Sequence, residues 1–155
     1  MNKWIFLSLF VSSAAIASDA ETNSCSVVAC SPGDKVTTYS SKSEFYYACP
    51  TRELADYTNT VAGLVVMTYQ FTGKRPNISP DTGEPEYEGE TKQLLDSLRN
   101  KSGARTFDEA LSVCTEGKGK LKVTIMNIKD DEGSVWVAEA NKKPFWLPKS
   151  FLIKH

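Results

Sequence analysis

Four cysteines, at positions 25, 30, 49 and 114, constrain this chain more than any other feature. What they mean depends on the compartment, and the first residues bear on that. Met1-Asn2-Lys3 sets one positive charge ahead of an apolar run from Trp4 to Val11 that continues through Ala14, Ala15 and Ile16. Ala15-Ile16-Ala17 fits the small-x-small pattern of leader cleavage, with Ser18-Asp19-Ala20 as a second choice. The run is short for a membrane span, so residues 1–17 are expected to be a signal peptide and the protein periplasmic or secreted. In an oxidising compartment an even cysteine count favours disulfides. Three connectivities are open. The expected pairing is Cys25 with its neighbour Cys30, and Cys49 with Cys114 across the chain. The second closes a loop of about 65 residues, worth about 4 kcal/mol in the chain-entropy model. No C-x-x-C occurs and the only histidine is His155, so a redox or metal site lacks its usual donors, and no cofactor is expected.

Ser18–His155 is long enough for one α+β domain with its own core. Ser18–Ser31 is polar and expected to be extended, tied down by its cysteines. Pro32-Gly33-Asp34 marks a turn, and Lys35–Ser40 and Glu44–Ala48 read as short strands. Phe45, Tyr46 and Tyr47 are consecutive, so both faces of the second strand should meet something, as core packing or as an aromatic floor for a ligand. Pro50-Thr51 opens the longest helix, with Thr51 as N-cap and Glu53 near the positive end of the dipole. Leu54, Tyr57, Val61, Leu64 and Phe71 keep helical spacing. Val61–Met67 is apolar on every side, which predicts a helix buried all round there, until Gly73 stops it. Glu90–Lys101 is a second helix, with Leu94, Leu95 and Leu98 on one stripe and Gly103 at its end. Thr106-Phe107-Asp108-Glu109 is a capping box opening a third, which should bury Phe107, Ala110, Leu111 and Cys114.

Between the first two helices, Lys74–Gly89 is a long connection whose second half holds five acids in the ten residues 81–90. Loops of this length are often functional. Glu84, Glu86 and Glu88 could form an acidic lip against a basic partner; the bland alternative is a solvated connector. The spacing departs from a calcium-binding loop.

The last third, Leu121–His155, reads as strands. Leu121, Val123 and Ile125 alternate with Lys120, Lys122 and Thr124, and the phase then slips, which predicts a bulge near Met126. Asp130–Gly133 is a turn, with Gly133 free to take positive φ. Ser134–Glu139 resumes as a strand, Asn141–Pro144 turns again, and Phe145–Leu147 is a final short strand ended by Pro148. Trp136-Val137-Ala138-Glu139, a polar turn, then Trp146-Leu147-Pro148-Lys149-Ser150-Phe151-Leu152 resembles the last three strands of an SH3-type barrel. In that family a tryptophan opens one strand, and a proline and an aromatic lie in a short helical turn before the final one. Trp136, Pro148 and Phe151 fall on those positions. The resemblance covers about 35 of the 155 residues. It implies a small antiparallel barrel or sheet over 121–155, with Trp136, Trp146, Pro148 and Phe151 lining an apolar groove for an extended chain. The plainer alternative is that these aromatics fill the barrel.

Catalysis finds little support. A histidine-dependent triad needs an imidazole held beside its nucleophile, and the cysteines are expected to be oxidised. Gly117-Lys118-Gly119-Lys120 lacks the spacing of a phosphate loop. Paired carboxylates for glycoside cleavage remain an option, but nothing marks two as converging. A formal charge of −1 argues against nucleic acid or an anionic membrane as partner. The expectation is therefore a non-enzymatic binding protein of the envelope whose SH3-like surface recognises a peptide or cell-wall component. The alternatives are an inhibitor or immunity-type protein using the acidic loop 81–90, or a structural subunit of an envelope assembly.

Overall fold

Val36 and Thr38 turn inward from β1 (Lys35–Thr38) while Lys35 and Thr37 take the opposite face, and the main sheet grows outward from this strand. The computed structural model describes residues 22–155; the expected signal peptide, residues 1–17, lies outside them. On one side β1 pairs antiparallel with β4 (Lys122–Asn127), Val36 opposite Val123. On the other it pairs with β7 (Leu152–Ile153), Thr38 opposite Leu152. β5 (Ser134–Ala138) and β6 (Phe145–Pro148) continue beyond β4, giving the order β6-β5-β4-β1-β7. All pairings are antiparallel and the sheet does not close into a barrel.

The strand signals translate closely. Ile125 faces Val137 and Asn127 faces Trp136, so two steps along β4 match one along β5. Met126 is the extra residue, and the bulge turns its side chain outward. Pro148 sits at the last position of β6, an edge strand, where a missing ladder donor costs least. Gly133 is not in the left-handed region; Asn141, in the next turn, takes φ 62°, a conformation asparagine tolerates better than most residues.

The N-terminal segment is a turn rather than an extended strand. The Cys25–Cys30 disulfide closes it, and it lies beside β7: the Cys25 amide donates to the Leu152 carbonyl (2.8 Å) and the Lys154 amide to the Asn23 carbonyl (3.0 Å). Contacts of this kind cover an edge that would otherwise template further strands.

Everything between β1 and β4 is one excursion. It contains β2 (Tyr47–Ala48), three helices and β3 (Thr115–Glu116), with β2 and β3 pairing as a separate two-stranded sheet. α1 (Arg52–Thr72) starts at Thr51, whose side chain accepts from the Leu54 amide, and ends at Gly73 with φ 69°. α2 (Gly89–Ser102) ends at Gly103, and its stripe is narrower than expected: Leu95 is buried and Leu98 partly so, but Leu94 is 49% exposed. α3 (Phe107–Val113) is capped by Thr106, which accepts from the Glu109 amide. Glu109 reaches back to the Arg105 amide (2.9 Å), one residue beyond the reciprocal partner of a capping box.

Two apolar cores result. One lies under the sheet, with Val36, Tyr46, Val123, Ile125, Val135, Val137, Leu147 and Leu152. Tyr46 donates to the Lys118 carbonyl (2.9 Å), and Gly117 lies so close to its ring that an added Cβ would stand 2.3 Å from it, so only glycine fits there. The other core joins Tyr57 and Val61 of α1 to Leu95 and Ala110. Between them sits a small cluster of Cys49, Ala55 and Cys114, with Tyr47, Leu54 and Trp146 packed around it. The second disulfide, Cys49–Cys114, is at its centre.

The disulfides close loops of very different length, 65 and 5 residues in separation. Cys49→Ala with Cys114→Ala should cost about 4 kcal/mol in urea denaturation, and Cys25→Ala with Cys30→Ala about 2 kcal/mol. Equal losses from the two pairs would show that the long-range bond does not stabilise the excursion as its loop length requires.

Candidate functional site

The acidic loop places its three predicted acids in different surroundings. Its backbone folds into a hairpin-like turn: the Ser79 amide donates to the Glu84 carbonyl (2.8 Å), the Gly83 amide to the Ser79 carbonyl (2.9 Å), and the Glu86 amide to the Asn77 carbonyl (2.8 Å). Glu84, expected on the surface, points inward and is 5% exposed. Tyr57 of α1 donates to its Oε1 (2.6 Å) and Arg99 of α2 to its Oε2 (2.5 Å). Arg99 also holds Asp96 (2.7 Å), which Lys92 holds as well (2.7 Å). A carboxylate can be buried here because two donors from two helices meet it. Glu86 and Glu88 stay exposed, so the structure separates the three predicted acids into one anchor and two surface groups.

The ionisation of this cluster follows from its packing. Burial pushes the Tyr57 phenol well up, and the Glu84 carboxylate adds to the shift. Asp96 is held below the usual carboxylate range by its hydrogen bonds to Lys92 and then Arg99. Desolvation opposes the charge on Arg99, but its bonds to Glu84 and Asp96 outweigh that and raise its pKa.

The predicted groove aromatics divide into two pairs. Trp136 and Trp146 are cross-strand partners on β5 and β6, stacked with centroids 6.2 Å apart and planes 18° apart. Trp146 also packs on the Cys49–Cys114 cluster, and its backbone pairs with Cys49. Both indoles are half-buried. Alternation along β5 and β6 puts Ser134 and Pro148 on the same face. The start of helix α1 lies over that face: Asp56 accepts a hydrogen bond from Ser134 (2.5 Å), and Arg52 pairs with Glu132. Pro148 and Phe151 are the pair that still lines open space, Phe151 tilting against Tyr46 at 5.4 Å.

That space is a cleft of about 420 Å³ between α1 and the turn after β6, reaching Asp56 at one end and Met67 and Gln70 at the other. It abuts a second cleft of about 640 Å³, walled by Tyr47, Tyr69, Ile78 and Phe107, with Lys42 and Arg75 on its lining. The two share Ser43, Phe45, Ala62, Val66 and Gln70. Ala62, Val66 and Gln70 are one face of α1 at four-residue spacing, and this row joins the two clefts into one trough, with Asp56, Thr60, Gly63 and Met67 on one side of it and Val65 and Tyr69 on the other.

Helix α1 was expected to be buried throughout Val61–Met67, and it is not. Val61 is buried, but Met67 is 52% exposed, Tyr69 56% and Phe71 82%. The C-terminal half of α1 presents apolar side chains to solvent. Phe45 was one option for an aromatic floor; Val66, Met67 and Tyr69 are the trough residues that sequence reasoning did not assign to a site. Their one signal was the apolar run itself, wider than a single buried stripe requires.

Among the described residues no group of three or more His, Cys, Asp or Glu side chains is placed to hold a metal ion, and no helix is long and apolar enough to cross a membrane. His155 lies beside β1, its Nε2 2.6 Å from Thr37 Oγ1.

No protein-family model, no curated protein and no solved structure matches this chain.

Two outcomes follow from the buried cluster. Glu84→Gln should destabilise the fold by about 3 kcal/mol, because Arg99 loses a buried partner, whereas Glu86→Gln and Glu88→Gln should each stay within about 0.5 kcal/mol. Chemical denaturation of the three variants measures the contrast, and three equal values would place Glu84 at the surface. In a spectrophotometric titration, Tyr46, Tyr47 and Tyr57 should ionise above the ordinary phenol value, burial being the main cause for each. Folding raises these pKa values, so the associated stability is complete below the unfolded value of about pH 10 and is lost as pH rises beyond it. Tyrosines that all titrate near pH 10 in the folded protein would contradict this packing.

Proposed function

We propose that this chain is an exported, non-catalytic binding protein that takes an extended segment, a peptide or a cell-wall strand, in the trough along α1. The observation that carries the reading is the exposed apolar surface of the C-terminal half of α1, Met67 on one side of the helix and Tyr69 on the other, each lining one of two adjoining clefts that share Phe45, Ala62 and Val66. Exposed apolar side chains gathered beside clefts often mark an interaction surface. Two disulfides are consistent with an oxidising, extracytoplasmic compartment, which supports a periplasmic or secreted location.

The SH3-like resemblance is supported by the turn before the last strand. Pro148 ends β6, a 3-10 turn over Lys149–Phe151 carries Phe151, and β7 follows directly. Pro148 and Phe151 contribute to the trough, while Trp146, stacked on Trp136, packs against Leu54 and Ala55 at the start of α1. A non-catalytic role is supported by where the acids go: Glu84 is held by Tyr57 and Arg99, and Asp56 by Ser134. The acidic-loop alternative keeps only Glu86 and Glu88 as free carboxylates of the three.

Fluorescence anisotropy with labelled proline-rich peptides and peptidoglycan fragments tests the reading. Met67→Asp and Tyr69→Asp lie at exposed positions and should leave the melting temperature nearly unchanged while weakening binding about tenfold or more. No binding by any probe, or binding indifferent to both substitutions, would remove the trough as the recognition surface.

A further inference from the structure

The two halves of the trough carry opposite charge. The narrower cleft is lined by Glu44 and Asp56 and by no lysine or arginine. The wider one is lined by Lys42 and Arg75 and by no aspartate or glutamate. Lys42 and Arg75 are exposed, and among the described residues neither forms an ion pair. By contrast, the cations of the loop–helix cluster, Lys92 and Arg99, are both matched to carboxylates.

Resting on the trough reading, we infer that the occupant is a charge-polarised peptide segment of a partner protein: cationic at the Asp56 end, apolar in the middle, acidic at the Arg75 end. The apolar middle follows from Phe45, Ala62 and Val66, which both clefts share. The polarity follows from complementarity, since among the described residues Glu44, Asp56, Lys42 and Arg75 have no ion-pair partner and a like charge at either end meets only repulsion. The length follows from α1. Asp56 to Gln70, the reach of the first cleft, spans about 21 Å at 1.5 Å per residue, which an extended polyproline-type strand covers in about seven residues at 3.1 Å each, and continuing to Arg75 lengthens this. An open trough of that span suits a chain passing through it. The charge pattern sets which end goes where.

Four fluorescein-labelled, terminally blocked peptides sharing a Leu-Pro-Leu-Pro-Leu centre test this. One has two arginines before it and two glutamates after; the others carry arginines at both ends, glutamates at both ends, or glutamines at both ends. Anisotropy titration of the oxidised protein should rank the Arg/Glu peptide first, about tenfold tighter than the Arg/Arg peptide, with the gap narrowing at high salt. Lys42→Glu combined with Arg75→Glu, at exposed positions, should keep the melting temperature and invert that preference. If the four peptides bind equally and the double variant changes nothing, the polarised occupant is overturned while the trough stands. If peptidoglycan fragments bind and no peptide does, the peptide inference is overturned in favour of a cell-wall strand. If nothing binds, both the inference and the trough reading fall.

Discussion

The molecule is held together at the small cluster around Cys49 and Cys114. On one side of it lies the sheet and its apolar core, on the other the helices and theirs, and neither core reaches across by itself. Cys49 follows β2 and its backbone pairs with Trp146 of β6, while Cys114 closes α3. The covalent bond therefore ties the end of the helical excursion to its beginning, at the point where both touch the sheet. Ala55, buried beside it, lets α1 approach closely. That approach sets α1 over the face bearing Ser134, Trp136, Trp146 and Pro148, and the position of α1 in turn creates the trough.

A second, weaker constraint acts at the other side of the helices. The loop after α1 is long and rich in proline and acid, yet Glu84 anchors it by meeting Tyr57 and Arg99. One side chain brings three segments into register. With the loop held there, Pro76 and Ile78 stand beside Tyr69 and wall the wider cleft. The same buried carboxylate thus shapes the recognition surface without lying in it.

Much of the fold was legible in the chain because it is encoded locally. Strand alternation gave β4 and β5, the phase slip gave the bulge at Met126, and Thr51, Thr106, Gly73 and Gly103 marked helix ends through groups a few residues apart. The sequence left three connectivities open, and the pairing found is the one expected from the short spacing of Cys25 and Cys30. What was hidden depends on distant partners. An apolar run such as Val61–Met67 looks alike whether protein or solvent surrounds it, so the exposed face of α1 could not be read from periodicity. Leu94 failed for the same reason. Glu84 sits among acids that look solvated, and only the arrival of Tyr57 and Arg99 from two helices distinguishes it from Glu86 and Glu88. The groove aromatics were identified as residues but not as pairs: stacking of Trp136 on Trp146 requires the β5–β6 register.

The topology bears on how the protein reaches its native state. β1 and β4 are neighbours in the sheet, yet Thr38 and Lys122 are 84 positions apart in the chain. Bringing such remote partners together is what slows a folding chain. Once Cys49 and Cys114 are joined, the connecting path shortens to about 20 residues, which lowers the closure cost by about 1 kcal/mol. Oxidation ahead of sheet assembly would thus favour β-pairing severalfold, making thiol chemistry during biogenesis a determinant of yield as well as of final stability.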